Sequence, residues 1–222
     1  MDYDEMRERM VHHQIRSRGI DDPALLEAMQ RVPRERFVEA RFRPLAYRDG
    51  PLPIGDGQTI SQPYVVAVMT EALEVKPGDK VLEVGTGSGY QAAVLAEMGA
   101  RVVTVERYDR LAGRARDLLE DLGYHSVQVI AGDGSRGFRN EAPYDGILVT
   151  AAGPTIPTEL LEQLRPGAHL VIPVDQSRGR QKLTRITRRT DGHFDRSDLG
   201  EVAFVPLIGR GGWPQEGAGG WR

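Results

Sequence analysis

The sequence contains no cysteine. This absence excludes disulfide bonds, thiolate nucleophiles, and zinc or iron–sulfur sites with cysteine ligands. A disulfide-free chain of 222 residues is long enough to bury one sizeable hydrophobic core but short for two independent ones. We therefore expect one domain, 1–222, in a reducing compartment, with the cytoplasm as its location.

Long apolar runs and an excess of basic residues are also missing. No apolar run approaches the ~18 residues that span a bilayer, and the N-terminal residues are charged where a signal peptide is apolar. The 29 Lys and Arg residues against 32 Asp and Glu residues leave a net charge of −3, which disfavours a dedicated binder of nucleic acid or anionic membrane. We expect a soluble protein that binds neither.

The five histidines lack the spacing of metal ligands. No H-x-x-x-H pair occurs, and the other three are scattered along the chain away from His12 and His13. These two are adjacent on a predicted helix, so their side chains are expected to diverge. The sequence therefore predicts no metal site.

The N-terminal third of the chain is predicted to be helical around one long loop. Apolar residues at helical spacing, with Pro33 as a stop signal, place the helices. They are predicted over 4–18, 23–32 and 64–73. Frequent proline and glycine make 44–63 an irregular loop, and loops of this length are commonly functional.

Farther along the chain, short apolar strands alternate with helices. Strands are predicted over 81–85, 101–105, 127–131, 146–151 and 169–174, and helices over 90–98, 109–122 and 157–164. This alternation is typical of a mostly parallel sheet with helices on both faces, a three-layer α/β/α sandwich. The segments 182–189 and 202–208 are separated by too few residues for a helical crossover and are predicted to pair antiparallel. The glycine-rich stretch 209–222 is expected to be a flexible tail.

A glycine motif, L-E-V-G-T-G-S-G, occupies the junction of the strand at 81–85 and the next helix. Gly85, Gly87 and Gly89 permit a tight turn and close approach of the backbone to a ligand. The dinucleotide pattern G-x-G-x-x-G is not met, because Tyr90 stands where its last glycine belongs, and no P-loop pattern is present. The motif therefore predicts a nucleotide-like ligand other than NAD, FAD or a P-loop nucleotide.

Acidic residues stand at the ends of three predicted strands. Glu83 lies two residues before Gly85 and suits a cationic ammonium group, whereas it would repel a pyrophosphate. Glu106 follows Gly85 by 106 − 85 = 21 residues, a position from which a carboxylate can accept both ribose hydroxyls. Asp133, followed by Gly134, can accept from the amino group of adenine. Together they predict an adenosine ligand.

Each of these features also has a plainer interpretation. A glycine turn by itself is often a simple connection between strand and helix. Glu106 by itself fits a solvated strand end, and Asp133 by itself fits an Asx turn. The coincidence of all three at one edge of the predicted sheet favours the ligand.

The run from Glu83 to Gly89 resembles the first motif of class I methyltransferases that use S-adenosylmethionine (AdoMet). Over 10–213 the chain resembles the protein-L-isoaspartate O-methyltransferase family. The segments that carry this resemblance are Q-I-R-S-R-G-I, V-P-R-E-R-F-V, G-Q-T-I-S-Q-P, L-E-V-G-T-G-S-G-Y-Q-A-A-V-L-A, G-D-G, Y-D-G-I-L-V-T-A-A, L-R-P-G-A-H-L-V-I-P-V and V-A-F-V-P-L-I-G. The loop segment G-Q-T-I-S-Q-P and the extended glycine motif are the most specific.

The resemblance implies a Rossmann-like class I methyltransferase fold with antiparallel C-terminal strands and an N-terminal helical extension. Residues 1–78 would form the helices and a substrate loop, 79–208 the AdoMet-binding core with the C-terminal strands, and 209–222 the tail. The implied activity is methyl transfer from AdoMet to the carboxylate of L-isoaspartyl residues in damaged proteins and peptides. S-adenosylhomocysteine would be the other product, and a monomer is expected.

The resemblance also implies roles for individual residues. Ser61 matches the family's active-site serine, although the same residue could instead cap the following helix. The expected contacts to cofactor are Gln58, Thr59, Ile60, Glu83, Gly85, Thr86, Gly87, Ser88, Gly89, Glu106, Asp133 and Gly134. The V-A-F-V-P-L run is expected beside the substrate groove, with a core strand as the alternative. Gln62 and Tyr64 depart from the Ala and His of many relatives.

Two other functions stay open at this point. One is an AdoMet-dependent methyltransferase of a small molecule or RNA, which the loop segment and the acidic pI of about 6.0 disfavour. The other is a non-catalytic AdoMet-binding module, which loss of the acidic residues Glu83, Glu106 and Asp133 would have favoured.

Overall fold

The computed structural model describes residues 2–177 and 180–215. Its α-helices are α1 (Tyr3–Met10), α2 (Pro23–Arg31), α3 (Pro63–Leu73), α4 (Tyr90–Glu97), α5 (Asp109–Asp121) and α6 (Thr158–Glu162). Its strands are β1 (Leu52–Gly55), β2 (Gln58–Ile60), β3 (Lys80–Val84), β4 (Arg101–Glu106), β5 (Val127–Ala131), β6 (Tyr144–Val149), β7 (Leu164–Ser177), β8 (Arg180–Arg188) and β9 (Phe194–Val202). A π-helical turn at Val11–Ile15 and a 3-10 turn at Arg16–Arg18 extend α1, so the first predicted helix is continuous but not uniformly α-helical.

Seven strands form one sheet in the order β5-β4-β3-β6-β7-β8-β9. The neighbours from β5 to β7 are parallel, and β8 and β9 add antiparallel strands at one edge. The prediction of a mostly parallel sheet with antiparallel C-terminal strands is therefore confirmed. Parallel neighbours need crossovers that place helices against the faces of the sheet, whereas antiparallel pairs need only connections of a few residues.

The two faces of the sheet bury separate apolar clusters. Along β3, Val81 belongs to the cluster with α3 and α4, while Leu82 and Val84 belong to the cluster with Leu160 of α6. This alternation follows from the two-residue period of a strand. The N-terminal helices cover the first face, since Met10, Ile15 and Leu25 lie in the same cluster as Val81. The three-layer arrangement thus has its larger helical layer on the α3 side.

The loop predicted over 44–63 is not irregular throughout. It contains the antiparallel hairpin β1–β2, with a turn in which Asp56 and Gly57 both have positive φ, at 51° and 70°. Asp-Gly is a preferred pair for a tight hairpin turn. The hairpin was not predicted because its two strands are only four and three residues long. Strands this short show no clear alternation of apolar and polar residues.

The last strand of the sheet lies earlier than predicted. The sequence places it over 202–208, but β9 ends at Val202, and the following residues leave the sheet edge to contact Ala152. Ala152 N–H donates to Val205 O and Leu207 N–H donates to Ala152 O, both at 2.8 Å. The prediction was wrong because β9 is exposed and polar, whereas the apolar run after it packs at the carboxyl ends of the parallel strands.

The expected flexible tail is ordered over 209–215. Trp213 N–H donates to Leu207 O at 2.7 Å, and its indole N–H donates to Ala152 O at 3.1 Å. Arg210 N–H donates to the Asp133 carboxylate at 2.9 Å. The prediction therefore fails for this part, because glycine here permits close packing: a Cβ at Gly212 would lie 2.1 Å from Leu207 O. Residues 216–222 lie outside the described residues.

The apolar run after β9 is fixed by a buried glutamine. The side chain of Gln181, only 4% exposed, donates to Phe204 O at 2.9 Å and accepts from Phe204 N–H at 2.6 Å. Its amide thus satisfies both backbone groups of a residue that has left the sheet.

Within the described residues, no helix combines the length and apolar character needed to cross a membrane.

We expect Gln181→Leu to lower the free energy of unfolding by about 1–3 kcal/mol, because the Phe204 N–H and C=O would lose their partners. Urea denaturation measures this change. Gln128→Leu is the matched control, since Gln128 is exposed on β5 and its replacement should change stability by no more than about 0.5 kcal/mol. Equal effects of the two substitutions would contradict a structural role for the Gln181 amide.

Candidate active site

A cavity of about 520 Å³ opens at the carboxyl ends of β3 and β4. Its wall includes parts of the β1–β2 hairpin, the glycine loop after β3, the ends of β4 and β6, and the apolar run after β9. The predicted site residues on this wall are Gln58, Thr59, Ile60, Ser61, Glu83, Gly85, Thr86, Gly87, Ser88, Glu106 and Gly134. Gly89 and Asp133 are not among the wall residues. The fold therefore brings most of the predicted site to one place.

The glycine loop is fastened to the strands on both sides of β3. Gly85 N–H donates to Val105 O at 2.8 Å, and the Thr150 hydroxyl lies 2.6 Å from Gly85 O, to which it can donate. Gly85 has a φ of +99°, and a Cβ there would lie 2.3 Å from the Thr150 oxygen. Only glycine fits this position. Thr150 was not predicted as a site residue, although it stands in the segment Y-D-G-I-L-V-T-A-A that carries part of the resemblance.

Gly89 serves packing rather than the cavity wall. It has a φ of +91° and directly precedes α4. A Cβ at this position would lie 3.2 Å from the Leu119 side chain and 3.5 Å from that of Ala115, both on α5. The third glycine of the motif therefore lets α4 start close against α5.

Glu83 combines complete burial with an incomplete set of hydrogen bonds. One carboxylate oxygen accepts from the Thr104 hydroxyl at 2.5 Å, and that hydroxyl also lies 2.6 Å from the hydroxyl of Thr86. The other oxygen has no hydrogen-bond partner among the described residues. Burial raises the pKa of Glu83 to about 8, against an opposing effect of the Thr104 hydrogen bond. An unpaired buried carboxylate oxygen on a cavity wall can accept from a cationic group that enters the cavity.

Glu106 is buried and hydrogen-bonded at both oxygens. One accepts from Gly87 N–H at 2.9 Å and the other from Tyr108 N–H at 3.0 Å. The interpretation of Glu106 as a solvated strand end is therefore wrong, since the residue is only 4% exposed. Each carboxylate oxygen can accept a second hydrogen bond. Glu106 thus holds the glycine loop in place and can still accept from hydroxyl groups in the cavity.

Asp133 has the geometry of the plainer interpretation, an Asx turn. One of its oxygens accepts from the N–H and the hydroxyl of Ser135, at 3.0 and 2.6 Å, and the other from Arg210 N–H at 2.9 Å. Although partial burial acts to raise it, these hydrogen bonds hold the pKa of Asp133 below its usual range. The wall beside it is made by Gly134 and Ser135 instead. This placement does not support the expected contact of Asp133 with adenine.

Ser61 joins β2 to α3 and lies half-buried on the cavity wall. The interpretation of Ser61 as a helix cap is wrong. The residue at the N-cap of α3 is Gln62, and no side chain caps this helix by a hydrogen bond. The backbone carbonyl of Ser61 accepts from Arg34 at 2.6 Å. Arg34 stands in the segment V-P-R-E-R-F-V, whose pattern gave no indication of this contact.

The residues that the structure describes contain no cluster of three or more potential metal ligands. His12 and His13 do not diverge as predicted: their Nδ1 atoms are 3.3 Å apart. Both lie in the π-helical turn, whose wider winding turns successive side chains less far from each other than an α-helix does. No third ligand joins them in the described part of the chain.

Comparison with known proteins gives consistent matches over nearly the whole chain. The family model "Protein-L-isoaspartate(D-aspartate) O-methyltransferase" matches residues 5–212. A protein-L-isoaspartate O-methyltransferase from Protochlamydia amoebophila is 52% identical over 204 residues, which is 92% of this chain and 97% of the relative. One from Methanoculleus marisnigri is 54% identical over 210 residues, which is 95% of this chain and 94% of the relative.

Solved structures agree in fold. A structure of a protein-L-isoaspartate O-methyltransferase has a TM-score of 0.83 and 29% identity, and the match covers 92% of this chain and 66% of that one. A Plasmodium falciparum structure of the same enzyme type, in complex with S-adenosyl-L-homocysteine, has a TM-score of 0.79 and 26% identity, and the match covers 91% and 98%. On the family model and the sequence identities, this chain belongs to the protein-L-isoaspartate (D-aspartate) O-methyltransferase family.

Proposed function

We propose that the cavity binds AdoMet and that Ser61 orients the isoaspartyl carboxylate that receives the methyl group. Family membership makes the chain an AdoMet-dependent protein carboxyl O-methyltransferase of L-isoaspartyl residues. The observation that carries the assignment of the site is the unpaired, fully buried carboxylate oxygen of Glu83 on the same cavity wall as Ser61.

The wall residues fit AdoMet by their hydrogen-bonding chemistry. Glu83 offers a free acceptor to the cationic amino acid end, in a buried place where an unpaired charge is costly. Glu106 offers its remaining lone pairs to the ribose hydroxyls. Gly85 and Gly87 present backbone without side chains at positive φ, at 99° and 54°. We assign the remaining cofactor contacts to the wall residues Gln58, Thr59, Ile60, Thr86, Ser88 and Gly134.

When bound, AdoMet supplies a methyl group that its sulfonium sulfur makes electrophilic. The isoaspartyl carboxylate has an ordinary pKa near ~4 and is ionised at neutral pH, so no general base is needed. One carboxylate oxygen forms the bond to the methyl carbon as the bond from that carbon to sulfur breaks, and the electron pair stays on sulfur. The products are the methyl ester and S-adenosylhomocysteine. The ester is a better electrophile than the carboxylate, so closure to a succinimide can follow without the enzyme.

The protein's contribution is orientation and exclusion of water. The Ser61 hydroxyl donates one hydrogen bond to the substrate carboxylate and fixes which oxygen faces the cofactor. A hydroxyl suits this role because a full positive charge would stabilise the nucleophile before reaction and slow it. The apolar run after β9, including Phe204 and Pro206, lines the same cavity and shields the reacting groups.

We further propose that the enzyme acts as a monomer in the cytoplasm. The absence of cysteine supports a reducing compartment. Among the described residues, Phe194 is the one large hydrophobic side chain that is exposed, which supports a monomer because stable interfaces need larger apolar patches. Light scattering on the purified protein measures the oligomeric state.

The activity is tested with labelled AdoMet and a peptide that contains one isoaspartyl residue, beside the same peptide with normal aspartate. We expect selective labelling of the isoaspartyl peptide. AdoMet binding without labelling of either peptide would instead favour a small molecule or RNA as substrate. If calorimetry detected no AdoMet binding, the assignment of the cavity would be wrong.

We expect Ser61→Ala to lower kcat for the isoaspartyl peptide by about tenfold or more, because the carboxylate loses the hydrogen bond that orients it. AdoMet affinity should stay nearly unchanged, since Ser61 faces the substrate in this proposal. Steady-state kinetics and calorimetry separate the two effects. Ser197→Ala, at an exposed position of β9, is the control that should leave both unchanged. An unaltered kcat in Ser61→Ala would exclude the proposed role.

We expect Glu83→Gln to remove a pH dependence from the stability of the ligand-free protein. Burial raises the folded-state pKa of Glu83 from 4.5 to about 8, so the folded protein favours the protonated carboxyl. This contribution to stability is complete below about pH 4.5 and is lost as the pH rises through about 8. The free energy of unfolding of the wild type should therefore fall relative to that of Glu83→Gln over this range.

Urea denaturation at several pH values measures this difference. Calorimetry of AdoMet binding gives a second readout. Gln cannot ionise when the ammonium group of the ligand arrives, so the substitution should weaken binding by about tenfold or more. Glu201→Gln, at an exposed position of β9, is the control for the loss of one carboxylate. Parallel stability profiles for wild type and Glu83→Gln would show that Glu83 titrates normally.

A further inference from the structure

Arg34 is a completely buried arginine outside the cavity wall. Its side chain is 0% exposed, and burial lowers its pKa. Nε donates to Ala46 O at 2.7 Å and Nη2 donates to Ser61 O at 2.6 Å, while Nη1 has no partner among the described residues. Burying a guanidinium group with an unpaired nitrogen costs stability. The fold therefore retains, directly behind Ser61, a residue whose burial lowers its stability.

The same guanidinium group contacts a second element of the cavity. Its Cζ atom lies 4.7 Å from the centroid of the Tyr90 ring, a cation–π contact. Tyr90 begins α4 and lies on the cavity wall, and its ring also packs edge-on against Phe37 at 5.5 Å between centroids. Arg34 thus connects the β2–α3 junction, which carries Ser61, to the start of the helix that follows the glycine loop.

We propose that Arg34 is a positioning residue for methyl transfer. By binding the Ser61 carbonyl, it fixes the backbone from which the Ser61 hydroxyl reaches the substrate carboxylate. This inference depends on the proposed role of Ser61. Arg34 is separated from the cavity by the residues of the wall, so it sets the geometry without placing a positive charge against the carboxylate.

The shape of the arginine side chain explains why a lysine at this position would not hold both backbone carbonyls. The planar guanidinium group donates along fixed directions from separate nitrogens to two carbonyls, those of Ala46 and Ser61. A lysine ammonium group is a compact charge on a flexible stem and does not reproduce this fork. Arg34→Lys therefore keeps the charge but releases at least one of the two carbonyls.

The test compares Arg34→Lys with wild type in the full-length enzyme, using the isoaspartyl peptide and AdoMet. We expect kcat/KM for the peptide to fall by about tenfold or more, because small displacements of an orienting group cost this much. AdoMet affinity should change by less than about threefold, since Glu83, Glu106 and the glycine loop keep their contacts. A loss confined to AdoMet binding would overturn the proposal.

A double-substitution experiment separates positioning from general destabilisation. In a Ser61→Ala background the hydroxyl that Arg34 positions is gone, so Arg34→Lys should lower kcat/KM by less than about twofold there. If the two single effects multiply in the double variant, Arg34 acts independently of Ser61 and the proposal is wrong. If Ser61→Ala alone has no effect, the proposed role of Ser61 fails, which is a separate result.

Arg188→Lys is the matched control. Arg188 also donates from Nη1 to a backbone carbonyl, that of Leu164, at 2.5 Å, and its Nε also lacks a partner in the described residues. It lies beside Leu164 at the start of β7, whereas the cavity lies at the carboxyl ends of the parallel strands. We expect lower thermal stability without a change in kcat/KM.

Assays are run below the unfolding temperature of every variant, and Arg34→Gln and Arg34→Met are compared if Arg34→Lys does not fold. The amide nitrogen of Gln stands about where Nε of arginine does, so it can donate to Ala46 O but does not reach Ser61 O. We expect Arg34→Gln and Arg34→Met to lower kcat/KM to the same extent. Clearly higher activity of Arg34→Gln would overturn the role of the hydrogen bond to the Ser61 carbonyl.

Discussion

The close contact between the glycine loop and the strands on either side of β3 is the constraint on which the site depends. The loop backbone accepts a hydrogen bond from the Thr150 hydroxyl on one side, and its N–H groups donate to Val105 and Glu106 on the other. These contacts exist because β3 lies between β4 and β6 in a parallel sheet, where neighbouring strands end at the same edge. A side chain at Gly85 would separate the loop from Thr150.

Three buried ionisable groups, Glu83, Glu106 and Arg34, lie near this loop, and they differ in how completely their hydrogen bonds are satisfied. Glu106 is satisfied by backbone N–H groups, and Arg34 is largely satisfied by backbone carbonyls. Glu83 keeps one oxygen unpaired. Buried charges are seldom retained for stability alone, so their concentration on and behind one cavity wall is consistent with binding and catalysis. In the proposed complex a cationic ligand would offset the free-energy cost of burying Glu83.

Much of the fold was predictable because local patterns agree with it. Strands β3 to β6 and helices α3 to α5 were located within about two residues of their ends, since a buried parallel strand is a short continuous apolar run. The β1–β2 hairpin and β9 were not located correctly. The hairpin strands are too short for periodicity, and β9 is exposed over most of its length, so neither carries the apolar signal on which such predictions rest.

The sequence by itself determined the class of fold and the position of the glycine loop with the acidic Glu83 beside it, because these depend on neighbours along the chain. Only the tertiary structure decided which side chains reach the cavity. Asp133 is engaged by Ser135 and Arg210, Gly89 packs against α5, and Arg34 lies behind Ser61. These outcomes depend on segments distant in sequence, whose spacing carries no local pattern until folding buries them together.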